Sequence, residues 1–377
     1  MIVESIEVSN LKEGMILAED IRHGPTGIIL VPKGNVITER MLKAINLFPA
    51  GERCLVYSKE IKGAPKKPEP ESKLERKTIN KERVDNLPEK ISEQARKIYK
   101  DTFKTVKNLY KSSQVFGNFN LHEANKAAES IADEVTRDPQ VLLQIAFLKS
   151  IDNYTFSHAV HVSIYVTSLG KFLNLSKKEL HDLSLAGLLH DIGKVDIPQE
   201  IVNKPGKLTD EEFNIMKEHV RFSFNRVYRF EGINRDILSA IGQHHERMDG
   251  SGYLQKLKSP YIHKWARLLS IADSYDALTT DRVYRKASLP HEGAEILMSD
   301  ADKLDTEFLN VFIRNISFYP TGTQVILSSG ETGTVVGTQP NMPLRPIIWI
   351  ASKDGKEGHI VNLVDNLTTF ITQVIND

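Results

Sequence analysis

The sequence has little with which to cross-link itself and nothing with which to cross a bilayer. Among 377 residues there is one cysteine, Cys54, which excludes an intrachain disulfide framework and a Cys-based zinc site. No window approaches 18 uninterrupted apolar residues, so no membrane span is expected. The first residues, Met1-Ile2-Val3-Glu4-Ser5, offer neither a basic nor an apolar stretch of the kind that directs export, and a cytoplasmic location is the expectation. An excess of either charge is missing too. The 49 Lys plus Arg balance 49 Asp plus Glu, so no global field draws the chain to a nucleic-acid polymer or an anionic membrane. Any anionic ligand must be met by local positive charge.

What is present reads as several modules, as the length of the chain leads one to expect. Residues 1–62 are predicted to form a small α/β regulatory or packing module. Ile2-Val3 and Ile6-Glu7-Val8 have strand character, and Gly14-Met15 suggests a turn. Ile28-Ile29-Leu30-Val31 is a short apolar strand closed by Pro32-Lys33-Gly34, and Thr38 to Ile45 reads as a helix. Residues 63–86, with Gly63-Ala64-Pro65-Lys66-Lys67-Pro68-Glu69-Pro70-Glu71, hold almost nothing to bury and predict an extended, charged, Pro-rich linker.

Residues 87–317 read as helical. Ile91, Ala95, Ile98, Val106 and Leu109 share one face of a long helix starting near Pro88. That stripe suits packing on the core or the seam of a homodimer. Leu121, Ala124, Ala128, Ile131 and Val135 mark a second helix ending before Pro139, and a third runs from Gln140 through Leu148. Residues 318–377 switch to short strands at Gln324–Leu327, Thr334–Val336, Ile347–Ile350 and His359–Val361, with turns at Gly330-Glu331-Thr332-Gly333 and Asp354-Gly355-Lys356. The expected fold class is therefore mainly α, with a small α/β module before the helices and a small β-barrel-like module after them.

The helical region carries a series of histidines and aspartates, the later of them preceded by apolar or helical residues. They are His158; His190-Asp191 after Leu188-Leu189; His219; His244-His245; and Asp273 after Leu268-Leu269-Ser270-Ile271-Ala272. Singly, each is weak, because a histidine on a helix is more often a packing residue and an aspartate at a helix end more often a cap. Five such features on five successive segments are another matter. Helix bundles build two-metal sites from side chains on facing helices in this way. Five His and two Asp make an N/O donor set suited to iron, manganese, zinc or nickel. The number of groups exceeds what one tetrahedral ion needs and fits two octahedral ions sharing a bridge, for which Asp191 is the natural carboxylate.

These residues carry a family resemblance. His190-Asp191, preceded by Leu-Leu and followed by Ile192-Gly193-Lys194, resembles the HD superfamily of metal-dependent phosphohydrolases. His244-His245-Glu246-Arg247-Met248-Asp249-Gly250-Ser251-Gly252-Tyr253 is similar to the longer motif of the HD-GYP subfamily, whose members hydrolyse cyclic di-GMP. The resemblance runs from about Tyr154 to Ala287 and implies an HD-type helical bundle. It implies His158, His190, Asp191, His219, His244, His245 and Asp273 as ligands of two divalent ions, with iron or manganese favoured and zinc and nickel compatible. It implies that Lys194 contacts the scissile phosphate, and that Arg282, Tyr284 and Arg285 meet the phosphates and bases of the dinucleotide. Asp276, one turn after Asp273, is grouped with the substrate-binding residues and could equally orient a ligand or base.

Three departures stand out. The GYP tripeptide is Gly252-Tyr253-Leu254, Val283 replaces the proline usual between the Arg and Tyr, and Tyr154 stands where some members carry a Glu that binds a third metal. The last favours two metals. The resemblance implies attack of a metal-bridging hydroxide on phosphorus, with Asp191 and Lys194 as catalytic groups and linear pGpG, then GMP on rebinding, as products. The alternatives are an HD phosphohydrolase acting on another cyclic (di)nucleotide, and a cyclic di-GMP receptor or scaffold with little turnover that meets a protein partner through the altered GYP loop.

Overall fold

The structure, a computed structural model, describes residues 3–22, 29–31, 33, 37, 42, 53–57, 93–139, 142–143, 146, 154–281, 287–316, 318–319, 321–339, 342–351 and 358–375. Two compact units emerge, one of Met1–Leu87 with Gln324–Gln373 and one of Pro88–Thr323 with Val374–Asp377. The sequence expectations of a linker at 63–86, most of the helix at Thr38–Ile45 and the turn at 354–356 lie outside the described residues.

In the first unit, β1 (Val3–Glu7) pairs antiparallel with β4 (Arg53–Tyr57), with Val3 opposite Tyr57 and Glu7 opposite Arg53. β2 (Ile21–Arg22) pairs with β3 (Ile29–Val31). Leu11, Leu17, Ile21, Ile37, Cys54 and Val56 form a small core. The lone cysteine thus serves as a small apolar filler. Gly14, with φ of +86°, makes the turn expected there.

The C-terminal sheet has the order β8-β7-β6-β5-β9. Its strands are β5 (Gln324–Leu327), β6 (Thr332–Gln339), β7 (Met342–Ala351), β8 (Gly358–Asn362) and β9 (Ile371–Ile375). Val325, Leu327, Val335, Ile348 and Ile371 are buried. β2, β4 and β9 were not anticipated. Ile371-Thr372-Gln373-Val374-Ile375 has the alternation of an edge strand, but it is short and near the chain end.

The second unit is helical. α1 (Glu93–Phe116) buries Ala95, Val106 and Leu109 of the expected stripe together with Thr102, Tyr110 and Ser113. α2 (Leu121–Arg137) starts on Asn120, whose carboxamide oxygen accepts the His122 and Glu123 amides, and ends before Pro139 as the pattern predicts. Residues 142, 143 and 146 are helical too. α3 (Tyr154–Phe172) is buried without interruption from 157 to 170 and is the central helix of the bundle. α4 (Lys177–Leu189) opens on a capping box between Ser176 and Glu179. A 3-10 turn (Ile192–Asp196) leads into α5 (Gln199–Val202), α6 (Asp210–Lys217), α7 (His219–Tyr228) and α8 (Arg235–Gln243). α9 (Lys264–Thr279), α10 (Pro290–Ser299) and α11 (Thr306–Asn315) complete it.

Two contacts fix the helices that matter. A Cβ on Gly187 would lie 2.6 Å from the Ser163 Cα, so α4 touches α3 backbone to backbone, and Ser163 Oγ donates to the Ser184 carbonyl at 2.9 Å. Tyr275 of α9 packs edge-on against Tyr165 of α3, Phe312 of α11 and Phe318, with ring centroids 5.3, 5.2 and 5.7 Å away. Among the described residues no helix is long and apolar enough to cross a membrane.

Gly187→Ala tests the close approach. It should lower stability by about 1–3 kcal/mol through overpacking, seen in urea denaturation as a lower midpoint at an unchanged slope.

Candidate metal centre

Each of the seven anticipated ligands reaches the centre from a helix end or an inward helix face. His158 projects from the first turns of α3, and His190 caps the C-terminus of α4 with Asp191 immediately after it. The 3-10 turn that follows is pressed onto α7. A Cβ on Gly193 would overlap the His219 carbonyl and the Ser223 amide, and the Gly193 amide donates to Ser223 Oγ at 2.8 Å. That approach brings His219, the first residue of α7, to Asp191. His244 caps α8 with His245 next to it, and Asp273 faces inward from α9.

The side chains converge on Asp191. Its Oδ2 lies 3.5 Å from His158 Nε2 and 3.4 Å from His190 Nε2, and its Oδ1 lies 3.2 Å from His219 Nε2. Asp273 Oδ1 is 3.2 Å from His158 Nε2, and Asp273 Oδ2 is 3.8 Å from His245 Nδ1. Three overlapping groups have ligand atoms within 4.8 Å of one another: His158, His190 and Asp273; His190, Asp191 and His244; His219, His244 and His245. Together they include all seven residues.

Histidine orientation is set by backbone. The Nδ1 of His190, His219 and His244 lies 2.7, 2.6 and 2.7 Å from the carbonyls of Gly187, Met216 and Ile241, each three residues earlier. An Nδ1–H donating to a helix-end carbonyl leaves Nε2 with its lone pair facing the centre. Those three Nε2 atoms and Asp191 Oδ1 are buried with no hydrogen-bond partner. Four inward-facing, unsatisfied acceptors in one buried site are costly unless a cation meets them. By this criterion, and by its N/O chemistry, the donor set fits divalent metal ions.

Electrostatics point the same way. Burial works against a charge on His158, but hydrogen bonds to Asp191, Asp273 and Asp276 overcome it and raise its pKa to about 10. Burial, reinforced by His190 and His219, pushes His244 down to about 3, and burial likewise lowers His245. Burial would raise Asp191, yet Lys194 and His190 hold it well below the usual carboxylate range. The site is negative around His158 and lacks protons around His244, a field that a cation relieves on both sides.

Lys194 makes a short ion pair with Asp191 Oδ2 and keeps its side chain 21% exposed. It therefore reaches the ligand shell and solvent together. Asp276 is fully buried, its Oδ2 2.7 Å from His158 Nδ1 and its Oδ1 3.1 Å from His161 Nδ1. It stands behind His158 and orients that ring, the second of the two roles its spacing allowed. Arg282, Tyr284 and Arg285 lie outside the described residues.

The second motif folds over the site as a loop. Glu246, 2% exposed, accepts the Gln255 amide on Oε1 at 2.7 Å and the Leu257 amide on Oε2 at 2.8 Å. A Cβ on Gly252 would lie 2.5 Å from the Arg247 amide, the Glu246 Cα and the His245 carbonyl, so only glycine fits. Tyr253 stacks on His245 at 4.7 Å between centroids, and Leu254 is 37% exposed. Sequence reasoning missed the role of Glu246, and it missed His161 and Tyr99. The spacing of three between His158 and His161 on one helix was the available signal for His161.

With this geometry in hand, comparison with known proteins gives the class. Residues 140–308 match the HD domain family, and residues 324–377 match a KOW domain associated with HD domains. That part of the helical segment is thus similar to HD domains, and the His190-Asp191 pair lies within it. A cyclic di-GMP phosphodiesterase of Pseudomonas aeruginosa is 32% identical over 245 residues, 65% of this chain and 59% of that protein. A cyclic di-GMP phosphodiesterase of Vibrio cholerae is 36% identical over 186 residues, 45% of this chain and 38% of its own. A 3′3′-cGAMP-specific phosphodiesterase of Vibrio cholerae is 32% identical over 192 residues, 50% of this chain and 43% of its own. This chain thus spans about four- to six-tenths of the length of these relatives.

Glu246→Gln tests the loop clamp. A carboxamide presents one acceptor where two amides need one each, so about 1–3 kcal/mol of stability should be lost. Deuterium uptake at 249–258, followed by mass spectrometry, should accelerate.

Proposed function

We propose that the chain is a metal-dependent phosphodiesterase that opens cyclic di-GMP to linear pGpG, with GMP as a further product when pGpG rebinds. The observation that carries this reading is the buried cluster of seven His and Asp side chains with four unpartnered acceptors turned inward. The substrate rests on the His244–Tyr253 motif and on relatives named for cyclic dinucleotides.

In this reading His158, His190 and Asp273 would hold one divalent ion and His219, His244 and His245 another, with Asp191 available to both. When bound, two divalent ions, iron or manganese by preference, supply Lewis acidity and a hydroxide nucleophile at neutral pH. The chain's own groups do the rest. Asp276 and the helix-end carbonyls keep the ring nitrogens turned inward before substrate arrives. Lys194 exchanges its ion pair with Asp191 for a non-bridging phosphate oxygen, where its charge stabilises the dianionic transition state. Arg282 and Arg285 take the second phosphate and Tyr284 a base, a set of contacts that positions one phosphodiester for in-line attack. Tyr253, stacked on His245, walls one side of the site.

A second reading has its own support. One close relative is named for 3′3′-cGAMP, so that dinucleotide is the competing substrate. Incubating Mn(II)- or Fe(II)-loaded protein with cyclic di-GMP, 3′3′-cGAMP and cyclic di-AMP separates them. The expected chromatogram shows pGpG from cyclic di-GMP at the highest kcat/KM, and nothing from Asp191→Ala. Preferential loss of 3′3′-cGAMP would transfer the assignment, and binding of cyclic di-GMP without cleavage would make the chain a receptor.

A further inference from the structure

Helix α1 precedes the matched HD domain, yet its side chains are tied to the metal centre at both ends. At one end, the Tyr99 hydroxyl lies 2.9 Å from His161 Nε2, and the two rings stack with centroids 5.8 Å apart. His161 is fully buried on α3, and its Nδ1 lies 3.1 Å from Asp276 Oδ1. Asp276 in turn holds His158 Nδ1 at 2.7 Å. At the other end, Arg226 of α7 reaches the Ser113 hydroxyl at 2.8 Å and the Gly117 carbonyl at 3.1 Å. The same guanidinium grips Asp196, in the turn after Asp191, with both carboxylate oxygens at 2.6 and 2.7 Å. Between these ties, Phe103 and Tyr110 pack edge-on against Phe156 of α3, at 6.3 and 5.5 Å.

The donors along the first tie can be assigned from chemistry. A carboxylate only accepts, so Asp276 requires N–H from both histidines and accepts Thr280 Oγ1 at 3.0 Å as well. With its Nδ1 protonated, neutral His161 has Nε2 as an acceptor, and the group facing that acceptor is the Tyr99 O–H. Each proton then points one way, from Tyr99 to His161 to Asp276, while His158 donates to Asp276 and turns Nε2 to the centre. Without the phenol, the buried His161 Nε2 loses its donor and the ring loses the hydroxyl that holds it in place, so its Nδ1–H sits less well on Asp276 and the hold on His158 weakens.

We propose that Tyr99 is a positioning residue of the metal centre, holding the His161 ring that, through Asp276, orients His158, and that α1 is thereby a working part of the HD site. The assignment rests on the metal-centre reading and not on which dinucleotide is cleaved. Tyr99→Phe removes the hydroxyl and keeps the stacked ring. The expected result is Mn(II) affinity about tenfold weaker, the lower end of the range for outer-shell partners, measured by competition with a chromogenic chelator. The thermal midpoint of the metal-free protein should fall by no more than a few degrees, the loss expected of one hydrogen bond. In the zinc-loaded protein labelled with 15N-histidine, the His161 Nε2 signal should move away from that of a hydrogen-bonded acceptor while the Nδ1–H signal persists.

A second variant separates positioning from general packing. His161→Gln donates to Asp276 through its amide and has no ring for the Tyr99 hydroxyl to hold, so adding Tyr99→Phe to it should change metal affinity little. Wild-type affinity and unchanged ring signals in Tyr99→Phe, or additive losses in the double variant, would overturn the proposal. Because the readout is metal affinity, it decides the role of Tyr99 whether or not the wild-type protein turns over a cyclic dinucleotide.

Discussion

Asp191 is 1% exposed and lies within 3.5 Å of ring nitrogens from three different helical segments. A carboxylate so far from water costs several kcal/mol unless positive charge meets it. Lys194 supplies part of that charge, on the side of Oδ2, while Oδ1 has no hydrogen-bond partner. The rest of the helical unit follows from placing this group. Gly187 lets α4 lie against α3, and Gly193 lets the following turn lie against α7. The aromatic cluster around Tyr275 holds α9 where Asp273 and Asp276 face the same point.

Around that carboxylate, orientation comes from groups that cannot easily move. Three histidines lean on carbonyls three residues earlier, at the C-terminal ends of α4, α6 and α8, and a fourth leans on a buried aspartate that is itself gripped by His161 and Thr280. Orphaned helix-end carbonyls need donors in any case, so capping each helix and aiming each histidine are achieved by one hydrogen bond. The result is a set of inward acceptors preorganised before any ion arrives. The loop from His244 to Leu257 is held with similar economy, since Glu246 satisfies two backbone amides where the chain turns over the site.

The seven residues that cluster were legible in the sequence because His190-Asp191 and Asp273 follow apolar runs and because His and Asp recur on five successive helical segments. Periodicity located α1 and α2, and motif spacing located the centre. What was not legible depends on contacts distant in sequence. Asp276 reads as a substrate group or as a ligand's support when only its spacing from Asp273 is known, and burial shows it to be a histidine's partner. Tyr99 and His161 are 62 residues apart, and nothing local links them. Glu246 reads as one more charge in a polar motif until the loop closes on it. The edge strands β2 and β9 escaped because short strands owe their pairing to neighbours more than to their own pattern.

The central claim is that Asp191 joins two metal sites within one buried set of seven ligands. Metal content per chain tests it most directly, measured by inductively coupled plasma mass spectrometry on protein reconstituted anaerobically with Fe(II) or Mn(II) and freed of loose ions. The account predicts two ions per chain in the wild type and loss of both in Asp191→Ala. One ion or none in the wild type, or two ions retained without Asp191, would contradict it.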